Sequence, residues 1–409
     1  MEVQHRPDAK PSRDQTVAGW AFDEGSYPVA VELGHAQAPV KSGDRYPAMD
    51  GLRALAVLCV VMTHIGFQTG ATFTSPIGAL LARLDFGVTI FFLLSGFLLY
   101  SPFVRADRLG KAAPDVATYL RNRALRVLPG YWVTVLVVVP VMASQSLHPG
   151  ELVRQLLLLQ VYSKGHLLSG LTQTWSLAVE VVFYLALPLL VALARRFGVS
   201  RLLVAMVVAA VGWTLMTRGL GIPDPGVGGL WLPAYLDWFA LGMGLAALRA
   251  WHDTTGRGSM LDQLGDAGGT CWALAGLLLW LTATPLGGPR GLDPATTGQA
   301  LTKHLLYGVA AAFVLVPAVF GTDLGSPVRR ALEHPVASWL GRISYGVFLW
   351  HLLVLELVYR FSGLQLFGGN AGLVTLVVLP VSVLVAALSL RLVEQPALEL
   401  KRRWTTAGR

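Results

Sequence analysis

Charge is scarce in this chain of 409 residues. Asp, Glu, Lys and Arg make up 14% of it and hydrophobic residues 54%, whereas soluble domains carry about 25% charged residues. That balance excludes a soluble globular protein. Cysteine is almost missing too. Cys59 and Cys271 both sit in apolar runs with no CxxC partner, which excludes a disulfide framework and reads as two buried thiols. The nine histidines are dispersed and no HExxH occurs, so no metal site is expected. GxxxxGK[ST] and GxSxG are absent as well, which removes the phosphate-loop nucleotidase and hydrolase readings. Gly242, Gly244 and Ala247 match GxGxxA, but inside an apolar run with no βαβ context, where close helix packing explains them better. Residues 1–45 lack the apolar core of a signal peptide and read as a disordered cytoplasmic tail.

What the chain does have is long apolar runs. Ten candidate spans of about 17–22 residues fall near 51–69, 84–101, 129–146, 174–194, 201–217, 230–248, 271–287, 303–320, 341–359 and 371–391. The segment 151–162 is too short to cross a membrane and is expected at the interface. The net charge of +8 lies between the runs, so it sets topology and does not point to nucleic acid. Of the 32 basic residues, 25 fall in the tails and alternate connections on one side and seven on the other. The positive-inside rule then puts both termini in the cytoplasm. The expectation is an all-α polytopic bundle of about ten transmembrane helices over residues 46–396, followed by a basic cytoplasmic tail, 397–409.

Three stretches carry polar groups that lipid would make costly. The first is YPAMDGLRALAVLCVVMTHIGF, Tyr46 to Phe67. Arg53 and His64 are eleven residues apart, three helical turns plus about 20°, so both face one way with an axial separation of about 16.5 Å. Asp50 as N-cap helps to account for Arg53 at a helix start, and the free N–H groups there would suit an anion. A titratable group in the middle of a span is functional by default. The second stretch, TYLRNRALRVLPGYW, clusters Arg121, Arg123 and Arg126 in the connection before Pro129. It reads either as a topology signal or as a phosphate grip, because guanidinium forks match phosphate oxygens. The third, TQTWSLAVEVVFYLALPLL, buries Glu180 with Tyr184 one turn on. Trp175 and Ser176 stand at its start, and on this topology Glu180 lies in the outer half of the membrane. A buried carboxylate needs a partner, and His64 is a candidate. Ser95 in FFLLSGFLLY reads as a small packing residue. His351 in SYGVFLWHLLVLE is a further mid-span base, about 140° around the helix from Glu356. Asp237 is another intramembrane acid, and Glu394 beside Arg391 reads as a surface ion pair.

DGLRALAVLCVVMTH, FFLLSGFLL, RNRALRVLP, TWSLAVEVVFYL, ISYGVFLWH and RLVEQP occur in that order. With them the chain resembles the membrane acyltransferase-3 family of bacterial O-acyltransferases. The resemblance implies a multi-pass protein of the cytoplasmic (inner) membrane that uses acyl-CoA, acetyl-CoA by default, to acylate a hydroxyl on a glycan, a glycolipid or a natural product such as a macrolide. It implies that Arg53 and His64 are the essential pair, that Arg123 and Arg126 (with Arg121 beside them) handle acyl-CoA, and that Glu180 is the acidic position of its motif. It departs from the family where Val181 follows Glu180, since that motif often doubles the acid. On this reading His64 is the general base, Glu180 holds its tautomer as the acid of a triad does, and Asp50, Ser95, Trp175, Ser176, Tyr184 and His351 line the site. The expected partners are acyl-CoA, a hydroxylated acceptor and membrane lipids, with no metal and no nucleic acid. The alternative is a proton-coupled transporter or flippase that uses His64 and Glu180 as a relay. A lipid-binding structural protein would leave both residues without a task.

Overall fold

The computed structural model describes residues 48–142, 149–163, 167–256, 259–291, 293–323 and 325–399. The expected N-terminal tail, Tyr46 and most of the C-terminal tail lie outside them. Ten long helices form the framework: α1 (Ala48–Gln68), α2 (Phe86–Arg108), α3 (Val116–Met142), α4 (Thr174–Phe197), α5 (Val199–Leu215), α6 (Leu236–Thr255), α7 (Gly268–Thr282), α8 (Thr297–Phe320), α9 (Pro335–Ser362) and α10 (Ala371–Ser389). Among the described residues there is no strand. The protein is an all-α, multi-pass membrane protein.

Among the described residues, eight helical segments are long and apolar enough to cross a membrane, or nine when α7 is joined to the helix that precedes it across a 73° bend. The difference from the ten expected spans has a physical cause. The expected span at 230–248 is a short turn, Leu232–Tyr235, followed by α6. That helix carries Asp237, Arg249, His252 and Asp253, and packs more extensively on α2 than any other helix pair does. Its polar groups are matched inside the protein. Asp237 accepts from His304 at 2.8 Å, and Arg249 pairs with Asp253 at 2.9 Å. Segment 149–156 is a two-turn helix, too short to span.

Backbone contact at glycine draws the central helices together. A Cβ on Gly242 of α6 would overlap the carbonyl of Leu93 on α2, and one on Gly96 of α2 would overlap the carbonyl of Phe239 on α6. Small residues of this kind let membrane helices approach closely. The same device joins α1 to α9, where a Cβ on Gly341 would overlap the Asp50 carbonyl. The apolar windows of α2 and α9 are each 72% buried, but that around α5 only 17%. The exposed side chains Leu185, Leu189, Val204, Val208, Leu373 and Leu376 therefore form the outer surface, which lipid covers in a protein of this class.

Candidate active site

Helix α3 runs unbroken through Pro129, so Arg121, Arg123 and Arg126 stand on its first turns and not in a connection. Asp115 anchors that end, its carboxylate accepting the Thr118 N–H at 2.8 Å. That bond holds the Asp115 carboxyl below the usual carboxylate range. At about 100° per residue, Arg123 and Arg126 fall about 60° apart on one face, and Arg121 about 160° from Arg123. Arg123 and Arg126 line a cavity of about 120 Å³, and Arg121 does not. Arg53 of α1 forms part of the same wall. It pairs with Asp50 at 3.2 Å, one turn before it inside the helix, so Asp50 is not an N-cap. Neither Arg123 nor Arg126 has a hydrogen bond or an ion pair among the described residues, and the buried Nε of Arg123 is unpartnered. Three guanidinium groups thus converge on one space, two of them with no anion in contact.

Glu180 is the one carboxylate on the cavity wall. Its partner is Ser95, whose hydroxyl donates to Oε1. Ser95 therefore holds a polar site together, and the packing role expected for it belongs to Gly96 next door. Tyr184, one turn along α4, also lines the cavity, and its carbonyl accepts from the Tyr119 hydroxyl at 3.3 Å. Ser176 is on the wall. Trp175 is not, and packs against Tyr235 with tilted rings whose centroids are 5.4 Å apart.

His64 is half-buried, further along α1. Its Nδ1 lies 2.8 Å from the Val60 carbonyl and 3.2 Å from Nε2 of His351 on α9. Its Nε2 makes no hydrogen bond among the described residues. Phe348 adjoins both: it lines the cavity, and its ring centroid lies 6.4 Å from that of His351.

Residues 46–391 match the acyltransferase domain of the acyltransferase-3 family. The chain belongs to the acyltransferase-3 family. MdmB, an acyltransferase from Streptomyces mycarofaciens, is 27% identical over 88% of this chain and 93% of its own. ExoZ, an exopolysaccharide production protein of Rhizobium meliloti, is 28% identical over 85% of this chain and 98% of its own. The peptidoglycan O-acetyltransferase OatA of Listeria monocytogenes is 25% identical over 76% of this chain and 49% of the longer relative. No solved structure matches. The protein is a membrane acyltransferase.

Within this acyltransferase the expected residues divide into two groups. Arg53, Arg123, Arg126, Ser95, Ser176, Glu180 and Tyr184 share the cavity; His64 and His351 form a separate pair. The expected contact between Glu180 and His64 is corrected. Glu180 sits with the arginines, not in a separate outer half, and the hydrogen bonds of His64 run to Val60 and His351. Glu356 bonds Ser169 at 3.0 Å, away from His351. Glu394 is also reassigned. It is 2% exposed with both carboxylate oxygens unpartnered, so it forms no surface pair with Arg391. Tyr345 and Phe348 were not singled out in the sequence, although the ISYGVFLWH stretch carries both. Tyr345 lines the cavity and ties α9 to α3 by donating to the Val127 carbonyl at 2.6 Å. Among the described residues no three His, Cys, Asp or Glu side chains gather as metal ligands would.

Proposed function

We propose that this enzyme takes its acyl group, acetyl by default, from cytosolic acyl-CoA and delivers it to a hydroxyl of a glycan, glycolipid or secondary metabolite at the inner membrane. The observation that carries the reading is the convergence of Arg53, Arg123 and Arg126 on one cavity with a single carboxylate among them. Such a cavity suits a polyanion, and guanidinium forks suit phosphate oxygens. The basic bias of this side of the bundle supports a cavity mouth open to the cytosol, where acyl-CoA is found. The 11-residue offset from Arg53 to His64, about 16.5 Å, matches the reach of a pantetheine arm threaded past Phe348.

His64 is then the general base. As the acceptor oxygen attacks the thioester carbonyl, its proton moves to His64 Nε2. The tetrahedral intermediate collapses, the carbon–sulfur bond breaks, and the imidazolium returns the proton to the departing thiolate of CoA. A base with its charge change near neutral pH suits both transfers. Glu180, bonded to Ser95, serves as the counter-charge that offsets the mutual repulsion of the guanidinium groups in the cavity. The relay reading would need His64 and Glu180 joined, whereas the hydrogen bonds of His64 run to Val60 and His351 and that of Glu180 to Ser95.

Mass spectrometry of envelope glycans and secreted metabolites tests this. A deletion strain should lose one acyl group from one product class. The wild-type gene should restore it and a His64→Ala gene should not, at equal protein abundance. Restoration by His64→Ala would remove the base assignment, and an unchanged acyl profile in the deletion strain would remove the proposed reaction.

A further inference from the structure

We propose that His351 is the positioning residue of the base: it accepts the Nδ1–H of His64 and so leaves the Nε2 lone pair of His64 as the one offered to the acceptor. This rests on His64 being the base, as proposed above. The hydrogen-bond geometry fixes both tautomers. A carbonyl oxygen can only accept, so the ring nitrogen of His64 that lies 2.8 Å from the Val60 carbonyl must carry the hydrogen. His351 obeys the same rule. Its Nδ1 lies 2.8 Å from the Phe348 carbonyl and 3.1 Å from that of Val347, so it too is the protonated nitrogen. In the neutral ring Nε2 of His351 is then a bare acceptor, 3.2 Å from His64 Nδ1. The hydrogen on His64 is shared between Val60 and His351, and the lone pair that remains is on Nε2.

The Val60 carbonyl alone is a weak determinant, because it already accepts the backbone N–H of its own helix turn. His351 adds an acceptor from a different helix. Turning the His64 ring over would set a carbon against both acceptors and lose both bonds, so His351 also fixes which edge of the ring faces the open side. It is itself 1% exposed and pinned by two carbonyls. The close approach of α1 and α9 at Gly341 supports its placement.

A neutral imidazole in this place has a consequence that a carboxylate would not. It orients the base without bringing a second charge into the membrane interior, where charges are costly. The imidazolium that forms during turnover then has no hydrogen-bonded carboxylate among the described residues, which leaves its proton easier to pass to the thiolate. His351 thus takes the orienting role of a triad acid without forming an ion pair.

The test uses the full-length protein in lipid nanodiscs, labelled with ¹⁵N-histidine, with the His64 signals assigned by their loss in His64→Ala. Long-range ¹H–¹⁵N correlation reads the tautomer directly and needs no acceptor. Wild-type His64 should show a protonated Nδ1 and a bare Nε2. In His351→Leu both nitrogens should show averaged shifts. In His351→Gln, whose amide oxygen can accept the same hydrogen, the wild-type tautomer should persist. Transfer of radiolabel from acetyl-CoA to an envelope extract supplies the second readout. His351→Leu should lose about 100-fold in kcat, the lower end of what a misoriented base costs, with the KM for acetyl-CoA within about threefold, and His351→Gln should recover at least about tenfold of it. A protonated Nε2 in the wild type, or an unchanged tautomer in His351→Leu, overturns the proposal. If His351→Leu does not fold, loss of the tautomer in His351→Gln overturns it. Full turnover in His64→Ala would sink the base itself. A dead His64→Ala beside a fully active His351→Leu would remove only the positioning role.

Discussion

Removing the guanidinium of Arg123 or Arg126 should weaken the use of acetyl-CoA while leaving a phosphate-free donor untouched. Both side chains line the cavity with no protein anion bound to them. A phosphate would therefore gain their bonds without first breaking an ion pair. A hydrogen bond to a charged group contributes about 1.5–3 kcal/mol, so Arg123→Ala or Arg126→Ala should raise the KM for acetyl-CoA by about 10- to 150-fold. The two act on one space, so the double variant should fall short of the product of the singles. Acetyl-pantetheine has the thioester and the arm but no phosphates. Its kcat/KM should stay within about threefold of wild type in every variant, because the lost bonds are ones it never made. The assay is acyl transfer to an envelope extract with each donor at matched protein abundance. Arginine variants that depress both donors equally would show a structural role. Variants that leave acetyl-CoA unaffected would remove the phosphate assignment. Either outcome refutes the reasoning from unpaired charge.

Two further predictions concern the scaffold. Gly242→Ala should cost about 1–3 kcal/mol, the range for an overpacked contact, since its Cβ would overlap the Leu93 carbonyl and stand 2.8 Å from the Phe97 nitrogen. Gly244→Ala, two residues on, would meet only a Leu203 methyl at 3.4 Å and should be neutral or slightly stabilising. Thermal unfolding in detergent decides, and a larger loss at Gly244 would invert the packing assignment. Arg83→Met should cost at least about 3 kcal/mol, because this 3% exposed guanidinium donates to the carbonyls of Thr282, Gly287, Gly288 and Pro289. Arg83→Lys should recover little in the same measurement, since an ammonium cannot reach the four acceptors as a planar fork does.

Relations within one helix were legible in the sequence. The Arg53–His64 offset follows from 3.6 residues per turn, whereas the shared face of Arg123 and Arg126 appeared only once α3 was seen to include residues read as a connection. Relations between helices were not. Glu180 and His64 are each buried and each in need of a partner, so sequence alone pairs them. The fold instead gives Glu180 to Ser95 on α2 and His64 to His351, 287 positions away. Hydropathy marked 230–248 as one span for a related reason. It is blind to the turn at Leu232–Tyr235 and to the polar groups of α6, such as Asp237, which finds its partner in His304 on another helix. Glu394 was misread because adjacency to Arg391 in the chain suggested a pair, while the helix turned its carboxylate inward. Ser95 was read as the small packing residue of its stretch, whereas Gly96 beside it packs on Phe239 and Ser95 hydrogen-bonds Glu180.

The distance between His64 and His351 along the chain also governs when the protein becomes competent. The arginine cavity takes part of its wall from Ser344, Tyr345 and Phe348, and the histidine pair takes one of its rings from the same helix. Neither exists while the ribosome is still making the first eight helices. A nascent or truncated chain can hold its arginines and His64 in the membrane without a closed cavity or a fixed imidazole around them. The order of synthesis thus acts as a safety catch, and α9 releases it only when the bundle is nearly complete.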